Sequence, residues 1–188
     1  MYLSDRDIRQ AVTTWTIILS DFDETRINPA SYDILLGNRF MTVREHSISC
    51  IDPARKILPE YDEIDIPDGE AFILHPGTTV LGVSHDFFGS DKYLIQLSGK
   101  SSLARIGLIV HNTAGLINPG HHLNIVFELC NLNSVPIVLR PKMPIAQLIF
   151  AQMLSAPIHD YKKTGRYDGN NWAGYVEKEK FPAEESYK

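Results

Sequence analysis

From Asn28 onward the chain is a succession of short segments rich in Ile, Val, Leu, Tyr and Phe, each closed by Gly, Pro, Asn or Asp. They fall at residues 32–36, 64–66, 71–74, 79–83, 93–97, 106–110, 123–130, 137–139 and 146–150. Runs of three to eight residues are too short for helices, and branched and aromatic side chains pack well on a pleated surface. Spaced this regularly, they predict a mainly β fold, a sandwich or a barrel. Ahead of them lies one short helix. Ser4 is its N-cap, with Asp7 three residues on and Ile8, Ala11 and Val12 forming its apolar face.

The acidic stretch 59–67, with Glu60, Asp62, Glu63 and Asp65, reads as an exposed connection, and there is no internal repeat. With 188 residues and 44% hydrophobic content, one core and one domain over 1–188 are expected. The net charge of -5 argues against the broad basic surface that nucleic acid would need. Cys50 and Cys130 form no CxxC pair, no apolar run is long enough to span a membrane, and the N-terminus is not signal-like. A cytoplasmic protein with no nucleic-acid or membrane partner is the expectation. Zinc-dependent nucleobase deamination is excluded, because it needs H-x-E and P-C-x-x-C elements that this sequence lacks.

Gly99-Lys100-Ser101 has the look of a phosphate-binding P-loop, but the position that requires the first glycine of that motif is Leu94. A strand runs straight into Gly99 and leaves no room for the loop. As an anion site the stretch is more coherent. A glycine turn leads into a helical turn with Ser101 or Ser102 as N-cap, Lys100 beside it and Gly107 as its stop. Ser101 and Arg105, four apart, share one face of that turn.

The second constellation lies on the strand 123–130. Alternation puts Leu123, Ile125, Phe127 and Leu129 on one face, and Asn124, Val126, Glu128 and Cys130 on the other. A glutamate flanked by Val126 and Cys130 is suited to passing protons near neutrality, although an ion-paired surface glutamate fits the same pattern. His111, His121, His122 and Glu128 do not reproduce the His-x-His spacing of a cupin metal site, since Gly120 and Leu123 stand where the second histidine is needed. No metal ligands are assigned.

Taken together, these pieces resemble the dCTP deaminase branch of the dCTP deaminase/dUTPase family. The resemblance runs through residues 3–8, 29–38, 74–77, 99–107 (GKSSLARIG), 113–120 (TAGLINPG) and 145–148 (IAQL), in that order. It implies a dUTPase-like distorted β-barrel, assembled as a homotrimer with active sites between subunits. It also implies zinc-independent hydrolytic deamination of dCTP to dUTP and ammonia, in the supply of dUMP and dTTP. Glu128 would be the general base, Ser101 and Arg105 would position water and glutamate, and the Ala114 carbonyl would hold the water. Lys100, Ser101, Ser102 and Arg105 match phosphate contacts, and Asn118, Val126, Phe127 and Glu128 match sugar and base contacts. Tyr161, Arg166 and Asn170 match a polar C-terminal segment, 159–188, that closes over the nucleotide. Mg2+ would arrive with the triphosphate, and dTTP is implied as a candidate inhibitor.

The sequence departs from the family pattern at four places. Asn118 replaces the usual aspartate of Ile-Asp-Pro-Gly, which counts against the diphosphate hydrolysis that dUTPases perform. Thr113-Ala114-Gly115 counts the other way, because it resembles the bifunctional members that make dUMP directly from dCTP. Arg166 and Asn170 stand for Lys and Gln, and His121 stands where an aromatic is common. The expected product is dUTP, with dUMP as the alternative. A non-catalytic dNTP-sensing protein of the same fold is the reading from another class, and intact Ser101, Arg105 and Glu128 count against it.

Overall fold

A computed structural model describes residues 1–44, 48–55, 57–159 and 161–165. Helix α1 (Asp5–Thr13) opens the chain. It is followed by β1 (Ile18–Leu19), a 3-10 turn (Glu24–Arg26), β2 (Ile27–Asn28), β3 (Ser31–Val43), β4 (Tyr61–Asp65), β5 (Phe72–Leu74), β6 (Thr79–Gly89) and β7 (Tyr93–Gly99). Then come α2 (Ser101–Ala104), β8 (Leu108–Ile109), β9 (Leu116–Ile117), β10 (His122–Asn131), β11 (Ile137–Leu139), β12 (Pro144–Gln152) and α3 (Tyr161–Thr164). The main sheet runs β8-β10-β6-β3-β12-β7-β9, with β1 on β6 and both β2 and β4 on β3, while β5 and β11 pair separately. Every pairing is antiparallel.

The mainly β class expected from the sequence is what the chain adopts, as one long curled sheet. The curl comes from β3, whose first half pairs with β12 and β2 and whose second half pairs with β6 and β4. Between the halves the register with β6 breaks, from Leu36 opposite Ser84 to Phe40 opposite Gly82. Gly37 sits at this break, and a Cβ there would lie 2.7 Å from the Val83 carbonyl oxygen. Only glycine allows the two backbones to approach so closely. The concave side is filled by Tyr32, Ile34, Leu36, Phe40, Phe88, Ile95, Phe127 and Phe150, all fully buried.

Each of the nine expected strands has a counterpart, with instructive differences in length. β3 continues through Gly37-Asn38, which read as turn punctuation, and β6 continues through the polar Ser84-His85-Asp86. Residues 106–107 are not strand, because Gly107 at φ +83° closes the preceding helical turn and leaves Ile106 exposed. The acidic stretch 59–67 is not a plain connection, since Tyr61–Asp65 forms edge strand β4. Three of its four acidic residues pair with arginines outside β4. Arg39 reaches Asp65 at 3.2 Å, and Arg44 reaches Asp62 at 2.7 Å and also Glu60. The N-terminal helix is capped as expected. The Ser4 hydroxyl accepts from the Asp7 N–H, while Asp7 accepts from the Ser4 N–H at 3.1 Å. Donation to its carboxylate from the Ser4 N–H, and then from the Ser4 hydroxyl at 2.9 Å, holds Asp7 below its ordinary value. Ile8 and Ala11 are buried beneath the helix.

One charged side chain among the described residues lies fully inside. Asp86 has no exposed surface, and its carboxylate accepts from the Arg26 guanidinium and the Leu35 N–H, both at 2.7 Å. Truncating it as Asp86→Ala strands a guanidinium that is itself only 10% exposed. Urea unfolding of that variant is expected to show a loss of about 3–5 kcal/mol, the cost of breaking rather than replacing a buried pair.

Candidate active site

The phosphate-type turn sits where β7 ends. Pairing of Gly99 with Ala146 and of Ser98 with Gln147 carries β7 to the margin of the sheet, and α2 begins one residue later. The N-cap is Lys100, with extended backbone and no side-chain cap bond, not Ser101 or Ser102 as expected. The strand leads so directly into the helical turn that the serines are already inside it. Ser101, Ser102 and Arg105 are exposed, and the Arg105 N–H donates to the Ser101 carbonyl at 3.1 Å, placing them on one side of the turn.

Lys100 is half-buried and ion-paired with Asp33 of β3. The other Asp33 oxygen accepts from the Asn28 amide at 3.0 Å. Gln147, opposite Asp33 on β12, accepts from the Ser31 hydroxyl at 2.7 Å and donates to the Gly99 carbonyl at 3.1 Å. Asp33 and Gln147 therefore brace the turn from beneath. Sequence reasoning passed over both as site residues, although each lies within a motif that carried the resemblance.

Glu128 projects from β10 between β6, where it pairs with Leu81, and the short β8 beyond. Strict alternation along β10 buries Leu123, Ile125, Phe127 and Leu129 and leaves Asn124, Val126, Glu128 and Cys130 half-buried, as the sequence implied. The Phe127 side chain is wholly in the core, so its backbone is what it can present to a ligand. One Glu128 oxygen accepts from the Asn112 N–H at 3.0 Å, and the other makes no hydrogen bond among the described residues. The loop 112–115 is thus tied to Glu128 at one end. At its other end the Gly115 carbonyl accepts from the Leu97 N–H at 2.7 Å. Ala114 is exposed between these two anchors. His111, just before the loop, has its Nδ1 buried without a hydrogen-bond partner among the described residues.

Asn118 is exposed, and its carbonyl accepts from the His121 N–H at 3.1 Å across Pro119 and Gly120, the latter at φ +88°. Tyr161 stacks on the buried His121 ring, with centroids 4.3 Å apart and planes 27° off parallel. Histidine at 121 is thereby accounted for as a flat partner for Tyr161. The structure gathers Glu128 with the 112–115 loop, and Tyr161 with the Asn118 turn. Within one chain no hydrogen bond or ion pair joins Glu128 to Ser101 or Arg105 among the described residues. Arg166 and Asn170 lie outside the described residues.

This order of motifs on a curled sheet is matched elsewhere. Residues 2–153 fit the dCTP deaminase-like family. The chain belongs to that family. A "dCTP deaminase, dUMP-forming" of Salinispora tropica is 38% identical over 173 residues, covering 90% of each chain. One of the same description from Nanoarchaeum equitans is 39% identical over 180 residues, covering 88% of this chain and 90% of its own. Among solved structures, the 2'-deoxycytidine 5'-triphosphate deaminase of Agrobacterium tumefaciens superimposes with a TM-score of 0.62 at 19% identity. That match covers 81% of this chain and 48% of the Agrobacterium chain, so the likeness is one of fold. Among the described residues, no group of three or more His, Cys, Asp or Glu could hold a metal ion, and no helix is long and apolar enough to cross a membrane.

The loop that carries Ala114 depends on a residue without a side chain. A Cβ on Gly115 would lie 2.9 Å from the Leu97 carbonyl oxygen and 3.2 Å from the His111 ring. Gly115→Ala is expected to lower stability by about 1–3 kcal/mol in urea unfolding, as backbone and ring move apart.

Proposed function

We propose that this chain is a zinc-independent deaminase of dCTP whose end product is dUMP. The observation that carries the reading is Glu128, with one carboxylate oxygen anchoring the 112–115 loop and the other available to a water molecule. Curated relatives about 40% identical and named dUMP-forming favour dUMP over the dUTP expected from sequence.

In this reading Glu128 takes a proton from water, and the resulting hydroxide adds to C4 of cytosine. The same carboxylate passes the proton to the ring nitrogen and then helps the amino group leave as ammonia, so one water is consumed and dUTP forms. Ser101 and Arg105 stabilise the charge that develops, and the Ala114 carbonyl orients the water. A second water then displaces pyrophosphate from the α-phosphorus and yields dUMP. Magnesium enters with the triphosphate as part of the substrate. Asn118 supports dUTP as the stopping point instead, because an amide accepts no proton from the second water.

The homotrimer belongs to the same proposal. Among the described residues nothing joins Glu128 to the Ser101–Arg105 turn within one chain, which supports a site completed between copies. Exposed Ile73 and Val138, opposite each other on β5 and β11, support apolar contact surfaces. Exposed Ile106, Leu132 and Val135 flank the turn where the Asn133 amide donates to the Ile106 carbonyl. Light scattering on the purified chain is expected to give about three times the 21.2 kDa of one copy; a monomer would overturn the trimer.

Incubation with dCTP and magnesium, followed by chromatography, is expected to release ammonia, pyrophosphate and dUMP in equal amounts. Accumulating dUTP without pyrophosphate would return the reading to a plain deaminase and make Asn118 the reason. Glu128→Gln keeps an oxygen for the Asn112 N–H but cannot carry a proton. It is expected to lower kcat at least about 100-fold while retaining triphosphate binding; undiminished turnover would remove Glu128 from the chemistry.

A further inference from the structure

The turn between β6 and β7 holds an exposed carboxylate that the proposed chemistry does not use. Asp91 accepts from His122 Nε2 at 3.0 Å and from Lys162 Nζ at 3.0 Å, joining the start of β10 to α3. Bonds from His122 and then Lys162 hold its carboxyl below the ordinary value. One residue along each element, the buried His121 ring stacks on Tyr161. Two neighbouring histidines thus grip two neighbouring residues of α3, one by ring stacking and one through a shared carboxylate.

The grip is built into the body of the sheet. Gly89 lies against it, and a Cβ there would come within 2.5 Å of the His122 ring and 2.8 Å of the His121 carbonyl oxygen. The next residue, Ser90, accepts from the Gly120 N–H at 2.8 Å through its carbonyl. Its hydroxyl donates to the Thr16 carbonyl and accepts from the N–H groups of Lys92 and Tyr93. The His121 N–H closes the turn on the Asn118 carbonyl. Asn118 and Tyr161, both matched to nucleotide contacts, are therefore connected through His121.

We infer that Asp91, His121 and His122 are positioning residues that form a clasp seating Tyr161 beside the Asn118 turn, where a deoxynucleotide triphosphate binds. The clasp acts on substrate binding and not on the proton transfers at Glu128. This inference rests on the dCTP reading, and its test separates the two.

Amide hydrogen exchange of a peptide spanning 158–165, measured without nucleotide, reads the clasp directly. KM and kcat for dCTP read its consequence. Asp91→Ala alters an exposed residue and leaves the core untouched. It and His121→Ala are expected to speed exchange at α3 about tenfold and raise KM about tenfold, with kcat changed less than about twofold. His121→Phe keeps a flat ring and is expected to restore both values. Unchanged exchange in Asp91→Ala and His121→Ala would overturn the clasp. Faster exchange with unchanged KM would overturn its role in nucleotide binding. Wild-type protein that neither binds nor turns over dCTP would overturn the deaminase reading and the nucleotide half of this inference, while the exchange comparison still decides the clasp.

Discussion

A sheet that curls must break its ladder somewhere, and here the broken bonds are remade by side chains around Asp86. Where β3 changes partners, the Leu35 N–H is taken by the Asp86 carboxylate, whose other oxygen holds Arg26. Two residues back along β6, the Ser84 hydroxyl donates to the Asp86 carbonyl and accepts from the Ile125 N–H. The Asn124 amide spans the same gap, donating to the Ser84 and His85 carbonyls, both at 3.2 Å. A buried charge is tolerated only when paired and hydrogen-bonded, and this one is both. Its reach extends to the site. β10 shifts register against β6 between Asn124 and Val126, at the residues this network supports, and Glu128 takes its position downstream of that shift.

The chemistry divides between two ends of the sheet. At one, Lys100 is held by Asp33, and Gln147 braces the Gly99 carbonyl, so the turn is shaped from within the chain. A cation already paired within the protein must exchange partners to bind an anion, which favours a multiply charged ligand over a weak one. At the other end Glu128 has a structural duty beside the chemistry proposed for it, because it ties down one end of the loop that carries Ala114. The proposed general base and water-orienting carbonyl are therefore kept in register by that bond and by the Leu97–Gly115 bond at the loop's other end. Proximity of this kind is where much of the rate of a hydrolytic step originates.

Features set by local periodicity or capping were legible in the sequence. β10 alternates without exception, and Ser4 with Asp7 marks the start of α1. What was illegible depends on residues distant in sequence. Gly37-Asn38 has the composition of a turn and becomes a strand corner only because Val83 lies against it. The expected strand stopped at Val83, ahead of the polar Ser84-His85-Asp86, because nothing nearby in sequence reveals that Arg26 neutralises Asp86. The acidic β4 reads as solvated until Arg39 and Arg44 are placed opposite. Asp33 and Gln147 are unremarkable in their own segments, and only the β3-β12-β7 pairing shows that they converge on one turn.

Two departures from the pattern this chain resembles, Asn118 and His121, prove to lie in one physical unit. They are the ends of a single turn, joined by a backbone hydrogen bond, with Gly120 between them tied to Ser90. An aspartate at 118 would set a second carboxylate on the β10 side of the fold, where Asp91 already draws on His122 and Lys162. The neutral amide keeps the turn's carbonyl bond, which needs only backbone, and adds no charge. Histidine at 121 likewise presents the ring face on which Tyr161 stacks. The turn's backbone bond and the ring stack both form with the residues this chain carries at 118 and 121.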